Sequence, residues 1–165
     1  MDPDLSRPGP LRPLTRTDRD RLINLLHATG VFTREEIDIA RELIDVVLDQ
    51  PHQQDYVVTV FEEEGRVAGY YCLGPTPGTD GTFDLYWIAV DPALQGKGLG
   101  AMLDRHAEAY VRSRHGRLII AETSSTSRYD RTRAFYAHRG YTEVSRIRDY
   151  YRPGDDLVVF GKYFV

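Results

Sequence analysis

The chain has 165 residues, of which 41% are hydrophobic and 28% charged, as is typical of one globular domain. Its 25 acidic residues outnumber the 21 basic ones, and this formal net charge of −4 argues against nucleic acid as the main partner. No signal-peptide pattern and no apolar stretch of roughly 18 residues is present, so we expect a cytoplasmic protein that does not enter membranes. The single cysteine, Cys72, excludes an internal disulfide and lies in an apolar run that predicts a core residue.

Hydrophobic periodicity divides the chain into strands and helices. Residues 1–10, which contain three of the prolines, predict a flexible tail, and residues 11–165 predict a single domain. Strands are predicted at residues 11–14, 56–62, 67–73, 83–90, 117–123, 141–151 and 157–165. Helices are predicted at residues 17–28, 33–50, 99–115 and 130–139. This order mixes hairpins with helical crossovers, and it predicts an α/β fold with a mixed sheet and helices on both sides.

Capping residues mark the ends of the first two helices. Thr17, followed by acidic residues, predicts the N-cap of the first helix, and Gly30 ends that helix. Thr33 and Glu36 match a capping box, which predicts the start of the second helix. Pro51 then stops this helix, because proline cannot continue the hydrogen-bond ladder.

A glycine-rich loop between a strand and a helix is the most informative stretch of the chain. The aromatic and β-branched strand at 83–90 is ended by Asp91-Pro92, and an amphipathic helix opens at Leu99. Between them, glycine alternates at positions 96, 98 and 100. A loop that leads into a helix N-terminus leaves backbone N–H groups unpaired, and the helix dipole adds partial positive charge there. The stretch therefore predicts a phosphate-binding site.

The glycine spacing excludes two common phosphate loops. A dinucleotide fingerprint needs G-x-G-x-x-G, whereas this loop continues directly from Gly98 through Leu99 to Gly100. A P-loop needs Gly-Lys followed by serine or threonine, whereas Lys97 is followed by Gly98. A nucleotide-dependent enzyme is therefore disfavoured.

The run from Gln95 to Gly100 resembles the pyrophosphate loop Q/R-x-x-G-x-G/A of the GNAT superfamily of acyl-CoA-dependent N-acetyltransferases. The preceding strand end, Ile88-Ala89-Val90-Asp91-Pro92, and the order of elements beyond the tail are also similar to that family. The resemblance implies a GNAT-type central sheet, mixed but mostly antiparallel, with acetyl-CoA as co-substrate and no metal. It assigns CoA binding to the loop residues Gln95, Gly96, Lys97, Gly98, Leu99 and Gly100. It also assigns carbonyl polarisation and pairing with the pantetheine arm to the backbones of Ile88, Ala89 and Val90.

Residues 129–141 resemble the late helix of the same family, N-x-x-A-x-x-F/L-Y-x-x-x-G-F/Y. Tyr136 and the Gly140-Tyr141 pair match this pattern, and the resemblance implies that Tyr136 is a general acid for the departing thiolate. The alternative is that Tyr136 is an ordinary core residue. Tyr129 stands where many members have asparagine, and Thr132 stands where many have alanine. The segment adds three candidate CoA-binding side chains, Tyr129, Arg131 and Arg133.

Two carboxylates could take the proton that the acceptor amine must lose. Asp84 lies on the strand before the loop, and strict alternation places it on the same face as Tyr86, Ile88 and Val90. Glu122 ends the next strand, where family members that acetylate protein N-termini often have a catalytic glutamate. We favour Glu122, because aspartate is shorter than the glutamate that some members have at position 84. The alternative for each is a solvated or salt-bridged acid.

The resemblance places the acceptor site beside the first two helices and the last hairpin. An acidic surface lined by tyrosines would favour a cationic amine there, although a solvated face is preferred for the helix alone. The candidate residues are Glu35, Glu36, Asp38, Glu42, Asp45, Asp49, Asp149, Tyr150, Tyr151, Asp155 and Asp156.

The predicted function is direct transfer of an acetyl group to a primary amine. The acceptor is a small cationic amine, an amino acid, or the N-terminus or a lysine of a protein, and the enzyme is a monomer or a homodimer. The alternative is a non-catalytic acyl-CoA-binding or sensor module of the same fold. The histidines and the lone cysteine show no metal-ligand spacing.

Overall fold

The computed structural model of the protein describes residues 11–164, so the predicted tail at 1–10 lies outside the described residues. The strands are β1 (Leu11–Pro13), β2 (Val57–Glu63), β3 (Arg66–Pro75), β4 (Thr82–Val90), β5 (Leu118–Ser124), β6 (Thr142–Arg152) and β7 (Asp155–Tyr163). The helices are α1 (Arg19–Thr29), α2 (Arg34–Asp49), α3 (Leu99–Ser113) and α4 (Asp130–His138). The predicted elements are thus confirmed in order and type, with small shifts at their ends.

All strands form one seven-stranded sheet in the order β1-β2-β3-β4-β5-β7-β6. Only β4 and β5 pair in parallel, and every other neighbouring pair is antiparallel. The predicted sheet, mixed but mostly antiparallel, is therefore confirmed. The β4–β5 pair needs the α3 crossover, because parallel neighbours cannot be joined by a tight turn.

The two faces of the sheet carry separate hydrophobic cores. One core joins the apolar stripes of α1 and α2 to β2 and β3, and it includes Leu22, Leu26, Ile44 and the fully buried Cys72. The other core joins the apolar stripe of α3 and Tyr136 of α4 to the opposite face. Helices on both faces of the sheet are therefore confirmed, and Cys72 is a core residue as predicted.

The first helix begins differently from the prediction. Instead of Thr17, Thr15 and Asp18 form a capping box around a short 3-10 turn, in which Asp18 accepts the Thr15 N–H at 2.8 Å. Arg12 of β1 also donates hydrogen bonds to Asp18, at 2.7 and 2.9 Å, and this pairing lowers the pKa of that carboxyl to about 2. The cap therefore depends on a partner in another element. At the second helix, the predicted Thr33–Glu36 capping box is confirmed.

A β-bulge in β4 corrects the predicted face of Asp84. Cys72 of β3 opposes Trp87, but the next residue of β3 opposes Leu85, so Tyr86 is an extra residue on β4. Tyr86 and Trp87 both pack against the core beneath α1 and α2, and Ile88 packs against the opposite core. Asp84 therefore shares a face with Tyr86, as predicted, but not with Ile88 or Val90. The bulge reverses the alternation at the point where the strand approaches the loop.

Candidate active site

The central strands separate just before the glycine loop. Pairing between β4 and β5 covers only residues 82–84 of β4, opposite residues 118–120 of β5. Beyond Asp84, β4 continues to Val90 and β5 continues to Ser124 without pairing to each other. The β4 edge that faces β5 is therefore open over its last residues, and an extended ligand can bind there as an added strand.

The loop before α3 presents a row of unpaired backbone donors. Gly96 and Gly98 adopt φ values of 80° and 81°, which glycine reaches without strain. Within residues 11–164, the backbone N–H groups of residues 96–101 have no backbone acceptor. A Cβ atom built on Gly96 or Gly98 would meet nothing within 4 Å, so these donors border open space. Donors that converge at a helix N-terminus suit a phosphate group.

Gly100 has a different role in the same loop. A Cβ atom at this position would lie 3.1 Å from the Phe135 ring of α4. The missing side chain therefore lets the first turn of α3 approach α4 closely. This contact fixes the distance between the loop and the helix that carries Tyr136.

A cavity of about 630 Å³ connects these features. It is lined on one side by Phe32, which packs with the α1–α2 core, and on the other by Phe135, which packs with the α3–α4 core. The cavity thus reaches both faces of the sheet where β4 has no β5 partner. Ten predicted site residues line it: Ile88, Ala89, Val90, Gln95, Gly96, Gly98, Leu99, Gly100, Arg131 and Tyr136.

Three predicted CoA-binding residues do not line this cavity. Lys97 is exposed beside the loop. Arg133 donates hydrogen bonds to the carbonyl oxygens of Ser124 and Thr126, at 2.6 and 2.9 Å, and thereby fixes the turn between β5 and α4. Tyr129 is only 8% exposed, and its hydroxyl points to α2 instead.

The Tyr129 hydroxyl joins elements from the two faces of the sheet. It donates to both carboxylate oxygens of Glu36, at 2.7 and 2.5 Å. Glu36 also accepts the Thr33 N–H at 2.6 Å, so one carboxylate caps α2 and anchors the start of α4. Burial and this acceptor raise the pKa of Tyr129, which therefore stays protonated as a donor.

Tyr136 lies in the wall of the cavity, and its side chain is nearly buried. It is 4% exposed, with the rings of Tyr141 and Phe160 at 5.2 and 5.7 Å between centroids. Among the described residues, its hydroxyl has no hydrogen-bond partner, yet it is not one of the fully enclosed polar atoms. Burial, and then the nearby Asp104 charge, raise the pKa of Tyr136, so the phenol is a neutral donor at physiological pH.

The two candidate bases lie together on the face covered by α1 and α2, outside the cavity lining. Asp84 pairs with Ile120, so Glu122 is its diagonal neighbour across the parallel strands. Thr76 donates a hydrogen bond to Asp84 at 2.9 Å. Partial burial, followed by the charge of Asp84, raises the pKa of Glu122. A carboxylate with a raised pKa is a better proton acceptor than an ordinary one.

Three of the six predicted acceptor-site acids on α2 pair with arginines instead. Asp45 accepts hydrogen bonds from Arg19 of α1, at 2.5 and 2.8 Å, and Arg19 lowers its pKa. Asp38 and Asp49 also form ion pairs with arginines. In the last hairpin, Asp155 and Asp156 bind arginines and turn residues.

Tyr151, another member of that predicted set, lies near both Glu122 and Glu36. Burial raises the pKa of Tyr151 to about 12, with smaller effects from the charges of Glu122 and Glu36. Because Asp38, Asp45 and Asp49 have arginine partners, the predicted acceptor surface carries less unpaired negative charge than the sequence predicted.

Sequence reasoning missed several residues of the cavity wall. Phe32 looks like an ordinary core residue in the sequence, and no local motif points to it. Phe135 matches the F/L position of the late-helix pattern, but that match did not identify it as a residue of the cavity wall. Arg139 also lines the cavity, and it is held by Asp104, which is fully buried on α3. The sequence offered one signal for Arg139: Asp104 is a charged residue on the apolar stripe of α3, and a buried charge needs a partner.

A cavity that runs from a phosphate cradle along an unpaired strand is characteristic of acyl-CoA-dependent transferases. The sequence profile of the Acetyltransferase (GNAT) family matches residues 20–141. The chain belongs to the GNAT acetyltransferase family. This confirms the family that the loop and the late helix indicated.

Solved structures agree with this assignment. A Desulfovibrio desulfuricans protein assigned to the GNAT acetyltransferase family is 39% identical, with a TM-score of 0.89 over 93% of this chain and 97% of its own. The Escherichia coli ribosomal-protein-S18-alanine N-acetyltransferase is 18% identical, with a TM-score of 0.73 over 93% and 92% of the two chains. An aminoglycoside 6′-N-acetyltransferase solved with coenzyme A is 16% identical, with a TM-score of 0.73 over 94% and 97%. The last two likenesses show the fold alone. No protein of curated function matches the sequence significantly.

No helix within residues 11–164 is long and apolar enough to cross a membrane. In the same part of the chain, no group of three or more histidine, cysteine, aspartate or glutamate side chains is arranged to hold a metal ion.

The Tyr129–Glu36 contact predicts that Tyr129 stabilises the fold and does not bind CoA. We expect Tyr129→Phe to lower the free energy of unfolding by about 1–3 kcal/mol, because a buried hydrogen bond to a charged acceptor is lost. We expect the dissociation constant for CoA to change less than about threefold, since Tyr129 does not line the cavity. Urea denaturation and calorimetry measure the two quantities. Tyr150→Phe, at a side chain that is 56% exposed, is the matched control. A large loss of CoA affinity with stability unchanged would contradict this role.

Proposed function

We propose that the protein transfers an acetyl group from acetyl-CoA directly to a primary amine, and that the preferred acceptor is cationic. The observation that carries this proposal is the cavity itself, which runs from the loop that presents the donors of residues 96–101 to the side chain of Tyr136. One end suits a pyrophosphate, and the other offers a proton donor.

The residues of the cavity fit coenzyme A. The cradle beside Gly96 and Gly98 has room for phosphate oxygens, and a side chain at either glycine would project into that space. The open edge of β4 from Ile88 to Val90 offers backbone groups to the amides of a pantetheine arm. These matches support the assignment of CoA binding to the loop and the strand.

The catalytic residues divide the proton transfers between the two faces of the sheet. Acetyl-CoA supplies the thioester carbonyl carbon, to which the amine nitrogen bonds as the sulfur leaves. A backbone N–H near the end of β4 donates to the carbonyl oxygen as negative charge develops there. Glu122 accepts a proton from the ammonium group, directly or through a water molecule, and Tyr136 donates a proton to the leaving sulfur. The nitrogen loses its second proton to solvent as the amide forms, and the Tyr136 phenolate regains a proton from solvent.

The acceptor class rests on the charges around Glu122. Asp84 and Glu122 share one face of the sheet, with Glu36 near enough to influence the same tyrosine, Tyr151. Negative charge on this face of the sheet favours a cationic amine. The aromatic edge contacts from Tyr56 through Tyr86 to Trp87 add polarisable ring surface on that face.

A screen of acceptors tests the function. The protein is mixed with acetyl-CoA and pools of polyamines, aminoglycosides, amino acids and peptides, and acetylated products are detected by mass spectrometry. We expect products from cationic amines, with release of free thiol. Tight CoA binding without thiol release across all the pools would favour the non-catalytic acyl-CoA-binding module. Failure to bind CoA would overturn both interpretations.

The glycine cradle can be tested with a matched pair of variants. We expect Gly98→Val to weaken CoA binding at least about a hundredfold, roughly 2.7 kcal/mol, because the side chain occupies the phosphate space. Gly78→Val is the control, since Gly78 has a similar φ of 73° and equally open surroundings but lies outside the cavity. Calorimetry of both folded variants separates backbone strain from loss of the cradle. Equal CoA affinities would show that the loop does not hold the phosphates.

The pH profile distinguishes the two candidate bases. Because the pKa of Glu122 is raised, we expect kcat/KM to fall as the pH drops through a value above the ordinary carboxyl range. Glu122→Gln should lower kcat/KM by about 10²–10⁴. Asp84→Asn removes a charge that raises the pKa of Glu122, so it should move the acid limb to lower pH and retain turnover. The reverse pattern, with Asp84→Asn inactive and Glu122→Gln active, would make Asp84 the base.

Tyr136 can be tested by removal of its hydroxyl. We expect Tyr136→Phe to change the free energy of unfolding by less than about 1 kcal/mol, because the hydroxyl has no partner among the described residues. The single-turnover rate should fall by about 10²–10⁴, the usual contribution of a general acid. Tyr141→Phe is the contrasting variant, since it loses a hydrogen bond to buried Asp104 and should lower stability more than the rate. If Tyr136→Phe retains the full single-turnover rate, the acid assignment is wrong.

A further inference from the structure

Asp104 is a fully buried carboxylate on the apolar face of α3. It is 0% exposed and follows Leu103 on a stripe that otherwise carries leucine, alanine and valine. Burial raises its pKa, and hydrogen bonds from Arg139 and Tyr141, at 2.8 and 3.0 Å, oppose that shift. Burial of an ion pair is weak evidence of a gain in stability, because desolvation offsets the attraction. An apolar residue of similar volume could fill this position of the core, so burial alone does not explain the ion pair.

Arg139 is the residue that this carboxylate holds in place. Its Nε atom donates to Asp104, and its backbone carbonyl oxygen accepts a hydrogen bond from Lys162 of β7 at 2.6 Å. Within residues 11–164, the terminal guanidinium nitrogens of Arg139 have no hydrogen-bond partner. The side chain lines the same cavity as the glycine loop. An oriented guanidinium with free N–H donors in a cavity wall is a preformed site for an anion.

The position of Arg139 follows from the packing of two helices. Gly100 contacts Phe135 at the start of the α3–α4 contact. Asp104 and Arg139 lie four residues further along their chains and contact each other in turn. Arg139 is therefore about one helical turn, roughly 5.4 Å, beyond the first contact between the loop and α4. This offset separates two anion-binding positions along one cavity.

We propose that Arg139 binds the 3′-phosphate of coenzyme A and that Asp104 is its positioning residue. The inference rests on the proposed use of acetyl-CoA. Coenzyme A carries a pyrophosphate and, on its ribose, a separate phosphate monoester. The backbone donors of residues 96–101 suit the pyrophosphate. The doubly charged monoester then needs a cation at a second position, which the guanidinium of Arg139 supplies.

The test compares coenzyme A with 3′-dephospho-coenzyme A, which lacks only that phosphate. Calorimetry gives both dissociation constants for the wild type, Arg139→Gln and Arg105→Gln. Arg105 is the matched control, because it is exposed on α3 next to Asp104 and does not line the cavity. We expect the wild type and Arg105→Gln to bind coenzyme A at least about tenfold more tightly than the dephospho form. In Arg139→Gln that ratio should fall to about one to three, with little change in affinity for the dephospho form.

Two results would overturn the assignment of Arg139. An unchanged ratio in Arg139→Gln would place the 3′-phosphate elsewhere. Equal weakening of both ligands would mean that Arg139 serves the pyrophosphate or only the fold. A wild type that binds both ligands equally would contradict this inference alone, whereas a wild type that binds neither would also contradict the proposed function.

Asp104→Asn tests the positioning role and provides a second route if Arg139→Gln does not fold. Asparagine keeps the size of the side chain and can still accept the Tyr141 hydroxyl, but it removes the charge that holds the guanidinium. We expect the ratio between the two ligands to fall at least about threefold in the folded variant, as checked by its melting curve. A change in melting temperature with the ratio retained would limit Asp104 to a structural role.

Discussion

The separation of β4 from β5 is the constraint on which the rest of the site depends. Backbone groups in a buried sheet normally pair, yet β4 leaves one edge open from Leu85 to Val90. The helices on both faces remain packed, so the gap becomes a cavity and does not collapse. Because the opening reaches both faces, a thioester placed in it can be approached by a base from one side and an acid from the other. The bulge at Tyr86 contributes to this arrangement, because it turns Ile88 towards the α3–α4 core and leaves Asp84 on the opposite face of the sheet.

The site uses two kinds of positive potential, which fits a chain whose net charge is negative. Backbone donors at the start of α3 provide partial charges that need no counterion and cannot be titrated. The guanidinium of Arg139 is held by a buried carboxylate, so its direction is fixed without a neighbouring surface acid. Across the sheet, Asp84 and Glu122 create the opposite potential. The cavity can thus attract an anionic co-substrate, while the face of the sheet that carries Asp84 and Glu122 attracts cations.

The sequence predicted correctly those features that depend on residues close together in the chain. Periodicity placed elements such as α2, α3 and β5, because each buries one face and the chain alternates at 3.6 or 2.0 residues accordingly. The glycine loop could also be recognised from the sequence. Gly96 and Gly98 adopt positive φ values and border open space, into which the side chain of any other residue would project. The cap of α1 was misplaced because Asp18 is fixed by Arg12 in another strand. Asp84 was given the wrong neighbours for the same kind of reason, since a bulge depends on how β3 pairs with β4.

The rest of the site depends on contacts between residues that are far apart in the sequence. Tyr129 illustrates why such contacts could not be predicted from the sequence alone. A family pattern suggested a contact with CoA at this position, and the polar side chain was compatible with it. The hydroxyl instead reaches Glu36, a residue that local reasoning could assign to the capping box of α2 but not to a second partner. A carboxylate has enough lone pairs for both donors, so the cap and the bridge coexist. Tyr129, which stands where many family members have asparagine, thus ties the start of α4 to the capped end of α2, so this one side chain joins helices from the two faces of the sheet.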